Sequence, residues 1–281
     1  MISINTNYGG LFASKSAAQS QKMMDTAMER LSTGKRINYA SDDAAGQGIA
    51  TRLNGEIQGL SMASKNAADA QSMIDTAEGA LQEVHSLLLR MRELAVQSAN
   101  DTVTDSDRDA MQAEVQALED EIQRIGDNTT WGGQKILDGH SYSTGSKAKF
   151  QIGVKNGENI EVNFGHLSVT GALSDQGNLG LLGHVSTQAG AGSYITDIDK
   201  AISVVSARRG EFGAISNRLN STMSNLDQIK VNLSASKGRI EDADFSAETS
   251  NLAKGQILQQ AATAMLAQAN ASKQTVLTLI R

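Results

Sequence analysis

A long stripe of apolar residues runs through the first half of the sequence. Between residues 53 and 95, apolar side chains recur at steps of four and three almost without interruption, which is the spacing of one face of an α-helix. The stripe consists of Leu53, Ile57, Leu60, Ala63, Ala67, Ala70, Ile74, Ala77, Leu81, Val84, Leu88, Met91 and Ala95. This pattern predicts one long helix with a seam like that of a coiled coil.

Two further stripes predict helices that pack against this seam. The first, which follows an acidic start of the kind that the helix dipole favours, consists of Met111, Val115, Leu118, Ile122 and Ile125. The second misses two steps, at Arg208 and Thr222, and consists of Ile198, Ile202, Val205, Phe212, Ile215, Leu219, Leu226, Ile229 and Leu233. Together the three stripes predict a long antiparallel helical bundle.

The two ends of the chain carry thinner stripes. Near the start the stripe consists of Met24, Met28 and Leu31. Near the end it consists of Leu258, Ala262, Met265, Ala269, Ser272, Val276 and Leu279. Alanine and serine supply little burial, and a solitary helix is barely stable in water. We therefore expect both ends to need partners in order to stay folded.

The helical period is lost between residues 129 and 193, where glycine is frequent. Apolar and polar residues alternate on both sides of Asn156-Gly157, which predicts a β-hairpin. A two-residue loop would place apolar side chains on opposite faces. An odd loop keeps one face apolar by pairing Val154 with Ile160, Ile152 with Val162 and Phe150 with Phe164.

Composition narrows the classes of function. The chain contains no cysteine and no proline, which excludes a disulfide framework and a thiol nucleophile and avoids slow X-Pro isomerisation. The net charge of -6 and the aromatic content of 4% argue against nucleic acid and an anionic membrane surface as partners. We expect no secretory signal peptide and no membrane span, because the start lacks a basic and apolar segment and no apolar run approaches ~18 residues.

The candidate sites for chemistry are weak. His85, His140, His166 and His184 show no metal-ligand spacing. The run from Asp105 to Asp109 imitates the opening of a calcium loop, but Ala110 and Gln116 occupy the positions of its required glycine and glutamate. The sequence therefore predicts no cofactor, no metal and no enzyme activity.

Several long motifs resemble those of the bacterial flagellins, in the order in which that family has them. Near the start are Ile4-Asn5-Thr6-Asn7 and ERLSTGKRINYASDDAAGQGIA, at residues 29–50. MRELAVQSAN follows at residues 91–100, and NTTWGGQKILDG at residues 128–139. The C-terminal motif is RIEDADFSAETSNLAKGQILQQAATAMLAQAN, at residues 239–270, and VLTLIR ends the chain.

This resemblance implies a mainly α fold in which paired terminal helices accompany the bundle. Residues 1–40 and 240–281 would line the inner core of a filament, and residues 41–239 would form the helical domain around it. A small β-hairpin region would lie within that domain, at about residues 130–192. The outer domains of larger flagellins would be missing.

The resemblance also implies what the protein does and with what. A flagellin is a subunit that is exported unfolded by the flagellar type III apparatus and polymerises with copies of itself at the distal tip of the extracellular filament. The implied partners are the flagellar cap and hook-filament junction proteins and an export chaperone. The filament-core residues would be those of the two terminal stripes.

A receptor site also follows from the resemblance. The segment that the flagellin-sensing Toll-like receptor of animals recognises matches here at Arg90, Arg92, Glu93 and Leu94, with Glu114 on the next helix. In this interpretation Arg90 pairs with an acidic group and Leu94 fills a pocket. Leu89 and Met91 depart from the residues that strongly recognised flagellins carry.

Two other classes of flagellar protein share part of these features. A hook-filament junction protein shares the terminal helices, but SDDAAGQGIA and AMLAQAN match flagellin better. A filament enzyme of the kind that carries a peptidase insert would need an HExxH motif or a large middle domain, and neither is present.

Overall fold

The structure is a computed structural model that describes residues 6–139, 147–169, 179–181 and 183–278, with side chains up to residue 272. Its helices are α1 (Tyr8–Thr33), α2 (Ala44–Ser98), α3 (Asp105–Asn128), α4 (Gln188–Glu241) and α5 (Phe245–Thr278). Its strands are β1 (Thr130–Trp131), β2 (Gln134–Lys135), β3 (Lys147–Gln151) and β4 (Asn159–Asn163). The predicted mainly α fold with a small β region is confirmed.

Two compact units make up the chain. One comprises Met1–Ile57 and Val231–Arg281, and the other comprises Gln58–Lys230. The resemblance implies domain boundaries at residues 40/41 and 239/240. The two compact units meet inside α2, at residues 57/58, and inside α4, at residues 230/231.

The seam predicted for α2 is the centre of the hydrophobic core. All members of the stripe are buried except Ile57, which is half-buried. In the unit Gln58–Lys230, α4 runs antiparallel to α2. The side-chain contacts Gln71 to Ser216, Glu78 to Arg209 and Arg92 to Asp199 establish this direction.

The turn between α2 and α3 is held by its own side chains. Thr104 is the N-cap of α3 and forms a capping box with Asp107, which pairs the free backbone N–H groups at the start of the helix. The buried guanidinium of Arg108 donates hydrogen bonds to the carbonyls of Asn100 and Val103, at 3.0 and 3.2 Å. The aspartates that imitate a calcium loop therefore begin a helix.

Trp131-Gly132-Gly133 forms a tight hairpin between β1 and β2. Trp131 is paired with Gln134, so Gly132 and Gly133 are the two loop residues. Their φ angles are 58° and 86°, and a two-residue turn of this kind requires positive φ at both positions.

The longer hairpin forms, but its predicted register is wrong. Phe150 lies opposite Ile160, and Ala148 lies opposite Val162. The loop covers residues 152–158, and the side-chain amide of Gln151 donates to two carbonyls inside it, at 2.5 and 2.9 Å. This larger loop takes Val154 out of the strand pairing, while one face of the hairpin remains apolar as expected.

A carboxyl group and a phenol are buried together between α3 and α4. The hydroxyl of Tyr194 donates a hydrogen bond to Glu119, and both residues are buried. Burial raises the pKa of Glu119, and the hydrogen bond from Tyr194 opposes this rise. Burial also raises the pKa of Tyr194, with Glu119 adding to the shift, so Tyr194 remains the donor at neutral pH.

We expect Tyr194→Phe to lower the free energy of unfolding by about 1–3 kcal/mol at pH 7, because it leaves a buried carboxylate without a donor. Glu119→Gln should be neutral or stabilising at that pH, since its amide oxygen still accepts from Tyr194 and no charge is buried. Thermal unfolding of the monomer measures both effects.

The pH dependence of the parent has a definite sign. The folded chain holds the Glu119 proton more tightly than the unfolded chain, so this group's stabilising contribution falls as the pH rises from 4.5 through the raised pKa. Glu119→Gln should flatten this part of the curve. A Tyr194→Phe variant as stable as the parent at pH 7 would contradict the role of the pair.

Candidate assembly and recognition surfaces

The two terminal helices pack against each other in antiparallel orientation. Near the start of α1, the side-chain amide of Asn7 donates to the carbonyl of Ala269 at 3.4 Å. Near its end, Arg30 forms an ion pair with Glu248 at 2.9 Å. The paired terminal helices implied by the resemblance are therefore present, although 218 residues separate Arg30 from Glu248.

Small residues fill the contact between α1 and α5. Ala13, Ala27 and Ala262 are buried in it. A Cβ on Gly255 would lie 3.4 Å from the Cβ of Met24, so the helices approach closely at this point. Because a buried methyl group contributes only ~0.8 kcal/mol, this contact gives the pair little stability.

Large apolar side chains on the same two helices remain exposed. Phe12 is 74% exposed, Ile257 66% and Met265 64%. A groove of about 590 Å³ lies between the helices, and Phe12, Met23, Leu258 and Met265 contribute to its lining. A contiguous apolar surface of this kind is typical of a site that binds another macromolecule.

The residues predicted for filament assembly occupy different positions relative to this surface. Met28, Leu258 and Met265 are exposed, Met24, Leu31 and Ala269 are half-buried, and Ala262 is buried. Val276 lies in α5 with its side chain outside the described part, and Leu279 lies outside the described residues.

Sequence reasoning missed the apolar residues at the start of α1. Tyr8, Leu11 and Phe12 are exposed there. Their spacing of three and four residues is a helical signal that could have revealed them.

The predicted receptor residues form a charged surface on α2 and α3. Arg90 lies 3.1 Å from Glu93 and 2.9 Å from Glu114, and Arg92 lies 2.7 Å from Asp199 of α4. Hydrogen bonds to Glu114 and then to Glu93 raise the pKa of Arg90. The acidic partners of both arginines thus lie within the chain itself.

The structure corrects the position expected for Leu94. Its side chain is only 2% exposed and belongs to the hydrophobic core, so it is not available to fill a pocket on another protein. Leu89 and Val96 are the exposed apolar residues here. They line a shallow groove of about 490 Å³ together with Arg92, Glu93 and Gln97.

The described residues were predicted to contain no metal-binding cluster. Within them, no three acidic or histidine side chains come together in a way that could hold a metal ion. His140 lies outside the described residues, and the other histidines do not cluster. No helix in this part of the chain is long and apolar enough to cross a membrane.

Comparisons with known proteins identify the family of the chain. Residues 4–142 match the family model for the bacterial flagellin N-terminal helical region, and residues 195–280 match that for the bacterial flagellin C-terminal helical region. The flagellin of Halalkalibacterium halodurans is 41% identical over 278 residues, covering 99% of each chain. The flagellin of Bacillus subtilis is 39% identical over 302 residues, also covering 99% of each.

The solved structure of a putative flagellar hook-associated protein from Vibrio parahaemolyticus has a similar fold, with a TM-score of 0.59. It is 19% identical, and the match covers 72% of this chain and all of that one. The family models and the full-length relatives establish more than the fold. The chain belongs to the bacterial flagellin family, as a short member, and is a structural subunit of the extracellular flagellar filament rather than an enzyme.

Proposed function

We propose that the pair formed by α1 and α5 is the part of this flagellin that holds the filament together. The observation that carries this proposal is the exposed apolar groove between α1 and α5, whose lining includes Phe12, Leu258 and Met265. In the filament this surface is covered by the same helices of neighbouring copies. Of the residues predicted from the terminal stripes, Met28, Leu258 and Met265 make these contacts, and Ala262 belongs to the contact within one subunit.

The balance of free energies favours terminal helices that become ordered when the filament assembles. Fixing the backbone of one residue costs about 1–2 kcal/mol, and the small residues between α1 and α5 return little of that cost. Burial of the large apolar side chains against neighbouring subunits supplies the rest. Filament formation therefore stabilises the terminal helices in the way that a ligand stabilises its binding site.

We further propose that the chain is exported unfolded and folds at the filament tip. The sequence supports this route because it has no cysteine that could form a disulfide and no proline that could delay folding. An export chaperone and the flagellar cap and junction proteins are the partners this route requires. The apolar surface of α5 is the surface that such a chaperone would need to cover before assembly.

The charged surface on α2 and α3 is proposed as the site for the animal flagellin-sensing receptor. Arg90, Glu93 and Glu114 form one connected ion-pair network on it. Leu89 replaces Leu94 as the apolar contact, because Leu94 is buried. Leu94 supports the surface from the core.

A hook-filament junction protein remains the alternative function, favoured by the similar fold of the Vibrio hook-associated protein. Electron microscopy separates the two functions. A filament subunit forms long filaments from the purified chain alone, whereas a junction protein does not.

We expect Met265→Asp to block polymerisation while changing the free energy of unfolding of the monomer by no more than about 0.5 kcal/mol. Its side chain is exposed before assembly and would be buried afterwards. Gln256→Asp is the matched control, because Gln256 is an exposed residue that lies nine residues, or about two and a half turns, away on the opposite face of α5. Sedimentation of filaments and thermal unfolding of the monomer measure the two effects.

Equal loss of filaments in both variants would mean that added charge alone prevents assembly. A marked fall in the stability of the Met265→Asp monomer would show that this side chain is already buried before assembly. Either result would contradict the proposal.

Hydrogen exchange tests the proposed gain of order directly. Amides of residues 8–33 and 245–272 should exchange rapidly in the monomer and slowly in the filament, whereas those of residues 58–98 should exchange slowly in both. Strong protection of the terminal helices in the monomer would show that they need no neighbours.

We expect Arg90→Ala to reduce activation of the animal receptor by about tenfold or more, because it removes the centre of the charged network. Arg124→Ala is the control, since Arg124 is an exposed arginine paired with Glu121 on α3 at 2.6 Å. A reporter-cell assay with monomers measures both, and monomer should exceed filament in potency. Equal potency of Arg90→Ala and the parent would remove this surface from the receptor site.

A further inference from the structure

Two short stretches of chain lie side by side next to the terminal helices. Residues 34–36 follow α1, and residues 241–243 comprise the last residue of α4 and the two residues after it. The backbone N–H of Arg36 donates to the carbonyl of Glu241 at 2.7 Å, and that of Ala243 donates to the carbonyl of Gly34 at 3.0 Å. Lys35 lies opposite Asp242 in an antiparallel bridge. We call residues 34–36 and 241–243 together the clasp.

Side chains reinforce the clasp at the end of α4. The carboxylate of Glu241 lies 2.5 Å from the ammonium of Lys35 and 3.5 Å from that of Lys237. The guanidinium of Arg36 donates to the carbonyl of Ile240 at 2.7 Å. Lys237 also donates to Asn54 of α2 at 2.9 Å. Through these contacts the clasp is connected to the C-terminal end of α4 and to the N-terminal part of α2.

Gly34 makes the required turn at the end of α1. Its φ angle is 72°, and its N–H donates to the carbonyl of Arg30, which is a left-handed helix cap. A Cβ at this position would meet no atom within 4 Å. Glycine is therefore favoured here by its backbone conformation and not by lack of space.

We propose that the clasp is the point from which α1 and α5 pair, so that the terminal helices close from the clasp outward. The proposal rests on the proposed function, in which these helices become ordered during assembly.

The physical reason is the cost of closing a large loop. Arg30 and Glu248 are 218 residues apart along the chain, and joining such distant segments costs entropy. Once the clasp has formed, Arg30 is four residues from Gly34, and Glu248 is five residues from Ala243. The Arg30–Glu248 ion pair then closes only a short loop.

The remaining contacts extend in order away from the clasp. After Arg30–Glu248 come Met24 beside Gly255, then Gln21 with Gln259 at 2.6 Å, and finally Asn7 with Ala269. Each contact orders only the next turn of two helices that have already started, which is far easier than starting them. The pair should therefore fray from the end that contains Asn7 and Ala269.

Two substitutions at Gly34 test the clasp with a matched pair. Gly34→Ala adds a side chain in open space but disfavours positive φ, whereas Gly34→Asn adds a larger side chain that tolerates it. Hydrogen exchange of the full-length chain in the filament is the readout, because the terminal helices of the monomer are expected to exchange rapidly in every variant; the parent is also measured as a monomer. We expect Gly34→Ala to accelerate exchange about fivefold or more throughout residues 8–33 and 245–272, and Gly34→Asn to remain close to the parent.

Two more variants distinguish an effect that depends on the position along the helix pair from a general loss of stability. Glu241→Gln removes the ion pairs with Lys35 and Lys237 and should also accelerate exchange along the whole pair. Gln259→Ala removes a contact in the middle of the pair and should accelerate exchange only beyond it, in residues 8–21 and 259–272. Unchanged exchange in residues 58–98 shows in each case that the helical bundle is intact.

The outcomes separate this proposal from the proposed function. If the parent gains protection on assembly but the Gly34→Ala and Glu241→Gln variants match it, or Gln259→Ala affects the whole pair, the clasp is not where pairing begins. If the terminal helices of the parent are equally protected in monomer and filament, the proposed gain of order on assembly fails instead.

Discussion

The structure depends on the burial of one unbroken apolar seam. α2 carries that seam from Leu53 to Ala95, and from Ala67 onward α3, α4 and the longer hairpin supply apolar residues to the core that covers it. A proline inside either long helix would remove a backbone hydrogen bond and bend the helix. The absence of proline thus has a structural reason in addition to its proposed role in export.

The helices could be predicted from the sequence because apolar residues recur in each at the helical spacing. The register of the longer hairpin could not be predicted in this way. A stripe with steps of three and four determines a helix without reference to the rest of the chain. The pairing of β3 with β4 depends on the size of the loop between them. Hydrogen bonds from Gln151 to two carbonyls hold that loop, and no pattern of apolar residues indicates them.

The candidate surfaces were predicted only in part, since burial depends on more than the period of one stripe. Leu94 lies three residues after Met91 and widens the seam of α2, but resemblance to a receptor motif placed it on the surface. In α5, Ala262 and Met265 belong to one predicted stripe, yet one is buried and the other is 64% exposed. A stripe of few and small apolar residues does not indicate which of its residues the partner helix covers.

The turn between α2 and α3 has a consequence for the conditions in which the filament can work. Calcium-binding loops with similar aspartates obtain their positive charge from a bound ion. In this turn the guanidinium of Arg108 supplies a positive charge and donates hydrogen bonds to the carbonyls of Asn100 and Val103. A joint built in this way needs no divalent cation from the surroundings. Chelators and fresh water low in calcium should therefore leave this part of the subunit intact.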